Sequence, residues 1–62
     1  VPVIHVNMLK GKTTEQKKIM VESITEAVVK AINVEPEKVT IFINEFEKEE
    51  IGKGGRLYTE IK

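Results

Sequence analysis

The sequence predicts an α/β fold: a single βαβ subunit with parallel strands and a C-terminal hairpin, completed by oligomerisation. Three observations carry this. Pro2 to Leu9 is mostly apolar on both alternating sets, about five turns of amphipathic helix follow from Thr14 to Ile32, and a second alternating run extends from Val39 to about Glu45. A strand, a long helix and a second strand form a βαβ unit, whose crossover is right-handed and whose strands are parallel.

In the first run Pro2, Ile4, Val6 and Met8 alternate with Val3, His5, Asn7 and Leu9. Such a strand reads as covered on both faces, the usual state of a parallel pair. "KGKTTEQ" breaks the alternation. Gly11 supplies the turn, and Thr13 with Gln16 three residues later has the form of a capping box. Met20, Ile24, Ala27, Val28 and Ala31 recur at helical spacing as the expected apolar stripe. Glu26 and Lys30 are ordered for an i,i+4 pair on the wet side. Asn33 suits a left-handed stop, and Pro36 prevents continuation. In the second strand Val39, Ile41 and Ile43 share one face, with Thr40, Phe42 and Asn44 on the other. "EKEEIGKGGRLYTEIK" reads as a charged loop, a glycine turn and a short alternating stretch with Leu57, Tyr58 and Ile61, a hairpin or strand that docks on a neighbour.

At 62 residues the chain is one small domain, spanning residues 1–62. A domain this short buries only about 60% of the surface its unfolded form exposes. Small domains compensate with disulfides, a metal or association. With no cysteine and a single histidine, association is what remains. Two strands and one helix also leave a sheet face to be covered by partner subunits. Ten basic and ten acidic residues cancel, so there is no basic footprint for nucleic acid. No apolar run approaches the roughly 20 residues of a membrane span, and no signal sequence is visible, so a cytoplasmic location is the expectation.

One histidine and no cysteine exclude zinc sites and the usual nucleophilic triads. "GKGG" lacks the spacing of a phosphate loop and has no helix after it, so it reads as a turn. His5, alone on a mostly apolar strand, reads as a packed or interface residue. Pro2 is different. Freed of the residue in front of it, its ring nitrogen becomes a secondary amine. A backbone α-amino group has a reference pKa of about 7.7 to 8.0, and an apolar pocket or a nearby cation lowers it further. A base near working pH suits a proton shuttle. Lys12, just past the Gly11 turn, is placed to bind an anion or polarise a carbonyl.

An early Pro-Val-Ile-His-Val strand, "GKTTEQKK" entering a helix, a Val-Thr-Ile-Phe-Ile-Asn-Glu strand and "IGKGG" near the end occur together in this order. The chain thereby resembles the 4-oxalocrotonate tautomerase family over essentially its whole length. The resemblance implies a βαβ subunit assembled as a homohexamer of dimers, with an amino-terminal proline exposed by removal of the initiator methionine. It also implies a cofactor-independent isomerase, without a metal. In that family the proline is the general base in enol-to-ketone conversion of 2-hydroxy-dienoate acids or related 2-oxo acids.

By this resemblance the catalytic residue is Pro2 and the substrate-binding residues are Lys12 and Ile51, to which Arg56 is added from its place beside the glycine turn. The family's first arginine falls on Lys12, which keeps charge but lacks the bidentate fork. Its second falls on neutral Thr40, and its aromatic falls on Ile51, apolar but without a ring. These departures put a dicarboxylate substrate in question, and Arg56 or Lys53 of a neighbouring chain is the candidate replacement cation. Two states of Val1 are open. A valine-type start codon read literally writes Val where methionine is incorporated and removed, freeing Pro2. Retained, Val1 acylates Pro2 and leaves a catalytically silent oligomeric module.

Overall fold

In a computed structural model the described residues are Val1 to Ile61, and the elements follow the expected order. Strand β1 (Val3–Leu9) leads into helix α1 (Thr14–Ile32), and a 3-10 turn (Pro36–Lys38) precedes strand β2 (Thr40–Phe46). A second 3-10 turn (Lys48–Glu50) leads to strands β3 (Gly52–Lys53) and β4 (Arg56–Leu57), and a third (Tyr58–Glu60) follows. Strands β1 and β2 pair in parallel, from Val3 opposite Thr40 to Leu9 opposite Phe46, while β3 and β4 form the C-terminal antiparallel hairpin.

The helix is fixed at both ends by local chemistry. The Gln16 N–H donates to Thr13 Oγ1 at 3.1 Å, and the Thr13 N–H donates to Gln16 Oε1 at 2.9 Å, closing the capping box. At the other end Asn33 adopts φ 53° and ψ 58°, and its N–H donates to the Val29 carbonyl at 2.9 Å. Asparagine tolerates that left-handed conformation better than a branched residue would. The short hairpin turns on Gly54 and Gly55, at φ 63° and 81°. Positive φ at both central residues matches the twist of paired strands and favours glycine there.

Four expectations are corrected. Strand β1 is covered on one face only: Ile4, Val6 and Met8 are half-buried towards the helix, while Val3, His5 and Asn7 are exposed. The helical stripe runs through Lys17, Met20, Val21, Ile24, Thr25, Val28 and Val29, whereas Ala27 and Ala31 face outward. The helix therefore sits rotated from the expected stripe, because branched Val21 and Val29 fill the groove better than alanine methyls. Strand β2 starts at Thr40 rather than Val39, whose N–H closes the preceding turn on the Pro36 carbonyl at 3.1 Å. The ion pairs among the described residues join Lys17 to Glu45 and Lys10 to Glu47, and do not include Glu26 with Lys30.

Among the described residues none is fully buried. The chain exposes 5118 Å², against about 4,000 Å² for a compact monomer of 7.0 kDa. Its radius of gyration is 14.8 Å, against about 10.6 Å for a self-contained fold of this length. The excess lies partly on the bare sheet face, where Val3 and Phe42 are 51% and 52% exposed. There His5 stacks on Phe42 with ring centroids 5.3 Å apart, so it packs against an aromatic neighbour.

The capping geometry carries a quantitative expectation. Replacing Thr13 with Ala removes the acceptor for the Gln16 N–H and should lower stability by about 1 kcal/mol, read as a shifted midpoint in urea denaturation with unchanged slope.

Candidate functional site

Parallel pairing sorts the candidate residues to the two ends of the sheet. Pro2 lies at the beginning of β1, half-buried, and its carbonyl accepts a hydrogen bond from the Thr40 N–H at 3.1 Å. Thr40, the first residue of β2, is thus beside Pro2 but presents a neutral side chain. Val1 in front of it is 90% exposed, and among the described residues it forms no hydrogen bond or ion pair. The ring nitrogen sits at the open end of an anchored residue.

At the other end Lys12 lies beyond the Gly11 turn, lining a cleft of about 350 Å³ with Met8, Gln16, Lys17 and Met20. Lys17 is tied to Glu45 by a 2.7 Å ion pair, with the two side chains 29% and 23% exposed. Lys12 has no ion-pair partner among the described residues. Met8 also borders a second cleft, of about 410 Å³, lined by Asn7, Leu9, Phe46, Ile51 and Tyr58. Ile51 is delivered there by the turn over Lys48–Glu50, and its carbonyl accepts from the Tyr58 N–H at 2.7 Å. Arg56 is exposed on the hairpin, its Nη2 donating to the Glu60 carbonyl at 3.3 Å. Lys53, opposite Arg56 in the hairpin, is also exposed.

The structure therefore brings Lys12 and Ile51 to one end, with Arg56 on the adjoining hairpin, and sets Pro2 with Thr40 at the other. Pro2 and Leu9 are seven residues apart along an extended strand, about 23 Å at roughly 3.3 Å per residue. A proton transfer needs contact near 3 Å. Within one chain the Pro2 end of β1 and the clefts at its Leu9 end are therefore far outside such contact.

The sequence pattern of the tautomerase enzyme family matches residues 2–60. The chain belongs to the 4-oxalocrotonate tautomerase family. A 2-hydroxymuconate tautomerase of Bacillus subtilis is 36% identical over 61 residues, 98% of each chain. One of the 4-oxalocrotonate tautomerase isozymes of Methylibium petroleiphilum superposes with a TM-score of 0.88 at 43% identity, covering 94% of this chain and 91% of that one. A heterohexameric 4-oxalocrotonate tautomerase from Chloroflexus aurantiacus gives 0.89 at 26% identity, with both chains covered in full. For a tautomerase, a split between the two ends of the subunit is meaningful when subunits associate.

Three residues near the candidate site escape the motif reading: Phe46, Glu45 and Tyr58. Tyr58 was legible in principle. A two-residue turn at Gly54 and Gly55 pairs Lys53 with Arg56 and Gly52 with Leu57, so the next rung joins Ile51 to Tyr58. The Lys17–Glu45 pair joins α1 to the end of β2 across 28 positions, which no local pattern signals.

That pair should stabilise the cleft wall. Glu45→Gln removes the charge while keeping the shape, with a loss of about 1 kcal/mol at low salt. The difference from the parent should shrink in 1 M NaCl, where the screening length falls to about 3 Å, as measured by thermal denaturation in both buffers.

Proposed function

We propose that the protein is an isomerase that moves a proton in enol–keto conversion of a small 2-hydroxy-dienoate or 2-oxo acid, with Pro2 as an amino-terminal general base. The observation that supports it best is the asymmetric anchoring of Pro2. Its carbonyl is held by Thr40, while the residue in front contributes nothing to the fold, so uncapping the ring nitrogen leaves the strand intact.

The step balances without a co-reactant. The neutral Pro2 nitrogen takes the enol O–H proton, the O–H electrons form the carbonyl π bond, and the displaced C=C pair attacks a proton. That proton returns from the Pro2 ammonium to carbon. Lys12 stabilises the negative charge that develops on oxygen. Ile51 keeps water from the amine, which favours its neutral form.

Because Pro2 and Leu9 stand about 23 Å apart along the strand and Lys12 and Ile51 lie at the Leu9 end, the site forms where the Pro2 end of one copy meets the Lys12 and Ile51 end of another. Family membership supports a homohexamer. Sedimentation of the purified protein should then give six chains of 7.0 kDa; a monodisperse monomer that turns over substrate contradicts this arrangement. Arg56 of a neighbouring copy is a further cation for the same substrate carboxylate, beside Lys12, and Arg56→Ala should raise KM. An unchanged KM removes it from the site.

The base assignment is tested by intact mass and mutagenesis together. The active protein should begin at Pro2, and Pro2→Ala should lower kcat by about 10² to 10⁴. A mass beginning at Val1 with no turnover of enol acids indicates the silent module instead, and full activity in Pro2→Ala refutes the proline mechanism. Lys12→Ala should lower kcat/KM by about 10- to 100-fold, the worth of one charge-assisted hydrogen bond.

The pH profile has a defined sign. Only the unprotonated amine accepts a proton, so kcat/KM should rise with pH and level off. The inflection should fall below the reference α-amino range of about 7.7 to 8.0, and it should vanish in Pro2→Ala.

A further inference from the structure

We infer that Tyr58, rather than Ile51, forms the aromatic wall of the substrate cleft, and that the site selects a monoanionic enol or keto acid with an apolar tail over a dicarboxylate. This deepens, and rests on, the tautomerase reading above.

The ring comes from geometry. The Tyr58 N–H holds the Ile51 carbonyl at 2.7 Å, so the two residues stand as one rung across the base of the hairpin. Both line the cleft of about 410 Å³ with Leu9 and Phe46, a size within the roughly 300–1,000 Å³ of small-molecule sites. Tyr58 is half-buried and is seated on a turn that Glu60 braces: Glu60 Oε1 accepts from the Leu57 N–H at 3.0 Å. A position that lost its aromatic side chain at 51 thus has one supplied from its cross-strand neighbour. The cleft carries apolar and aromatic surface where a substrate tail would lie.

Charge sets the head-to-tail preference. A dicarboxylate needs a cation at each end, because a buried unpaired carboxylate is costly. Lys10 and Lys17 are already occupied by Glu47 and Glu45, at 3.4 Å and 2.7 Å. Arg56 and Lys53 lie on the hairpin and line neither cleft, and Thr40 beside Pro2 is neutral. Lys48 is flanked in sequence by Glu47, Glu49 and Glu50. Of the cations lining the two clefts, Lys12 is the one without an ion-pair partner among the described residues, matched to a single carboxylate.

Tyr58 is the one tyrosine of a chain without tryptophan, so intrinsic emission reports this wall directly. The oligomer as purified is titrated with hexanoate and with adipate, acids of equal length that differ only in the charge at the far end. Hexanoate should change Tyr58 emission saturably, with a Kd at least tenfold below that of adipate. Equal affinities, or tighter adipate, overturn the inference. So does an emission that ignores both acids yet changes on dilution, since a second copy then fills the cleft.

The same titration on Pro2→Ala should give the same preference, which separates the two readings. Full activity in Pro2→Ala defeats the proline base and leaves the selectivity standing; tighter adipate binding defeats the selectivity and leaves the base standing. With phenylenolpyruvate as substrate, Tyr58→Ala should raise KM at least fivefold with little change in kcat, and Tyr58→Phe should restore the parent KM. Parent-like KM in Tyr58→Ala overturns the wall assignment.

Discussion

A two-stranded parallel sheet has two faces, and a single helix covers one of them. From that constraint the rest of the molecule follows. The face under α1 collects Ile4, Val6, Ile41 and Ile43, and the other exposes Val3, Phe42 and the His5 ring to water. Burial of apolar surface is the main favourable term in folding, yet among the described residues none is removed from solvent completely. The surface and radius both exceed those of a self-sufficient fold, so this subunit has the geometry of a part. Its secondary structure is instead secured locally, by the capping box at Thr13, the left-handed Asn33 and the two-glycine hairpin turn.

The same parallel arrangement governs the chemistry. Parallel strands begin at one end of the sheet and finish at the other, so the start of β1 carries Pro2 with Thr40, while Lys12 and the Ile51–Tyr58 rung gather at the far end. On the proposed mechanism each end holds half of what the proton transfer requires. The Pro2 end has an anchored residue with a dispensable neighbour. The opposite end has a cation and apolar clefts, but no candidate base of its own at the substrate position. In the proposed function, contact between copies closes the gap, and membership of the 4-oxalocrotonate tautomerase family is consistent with such a subunit.

Much of the fold was legible because its signals are local. The Thr13–Gln16 spacing placed the start of α1, Asn33 and Pro36 placed its end, and β2 was displaced by one residue only. The covered face of the helix was misread because Ala27 and Ala31 match the period as well as Val21 and Val29, and only packing against the sheet distinguishes a methyl from an isopropyl group. Coverage of β1 on both faces was inferred from its composition, whereas one helix reaches only one face of a two-stranded sheet. The candidate site was legible where it coincides with sequence motifs, at Pro2, Lys12 and Ile51. Tyr58, Phe46 and the Lys17–Glu45 pair depend on hairpin closure and on a contact between remote positions, and these are products of the folded chain.

The separation of Pro2 from Lys12 also bears on how such a protein evolves. If copies associate as proposed, a duplicated gene is free to lose its proline while preserving the gripping end, and its sister to do the reverse, because a mixed assembly still presents each surviving half to the other. Drift after duplication would then convert one self-sufficient sequence into two interdependent ones without any change of backbone.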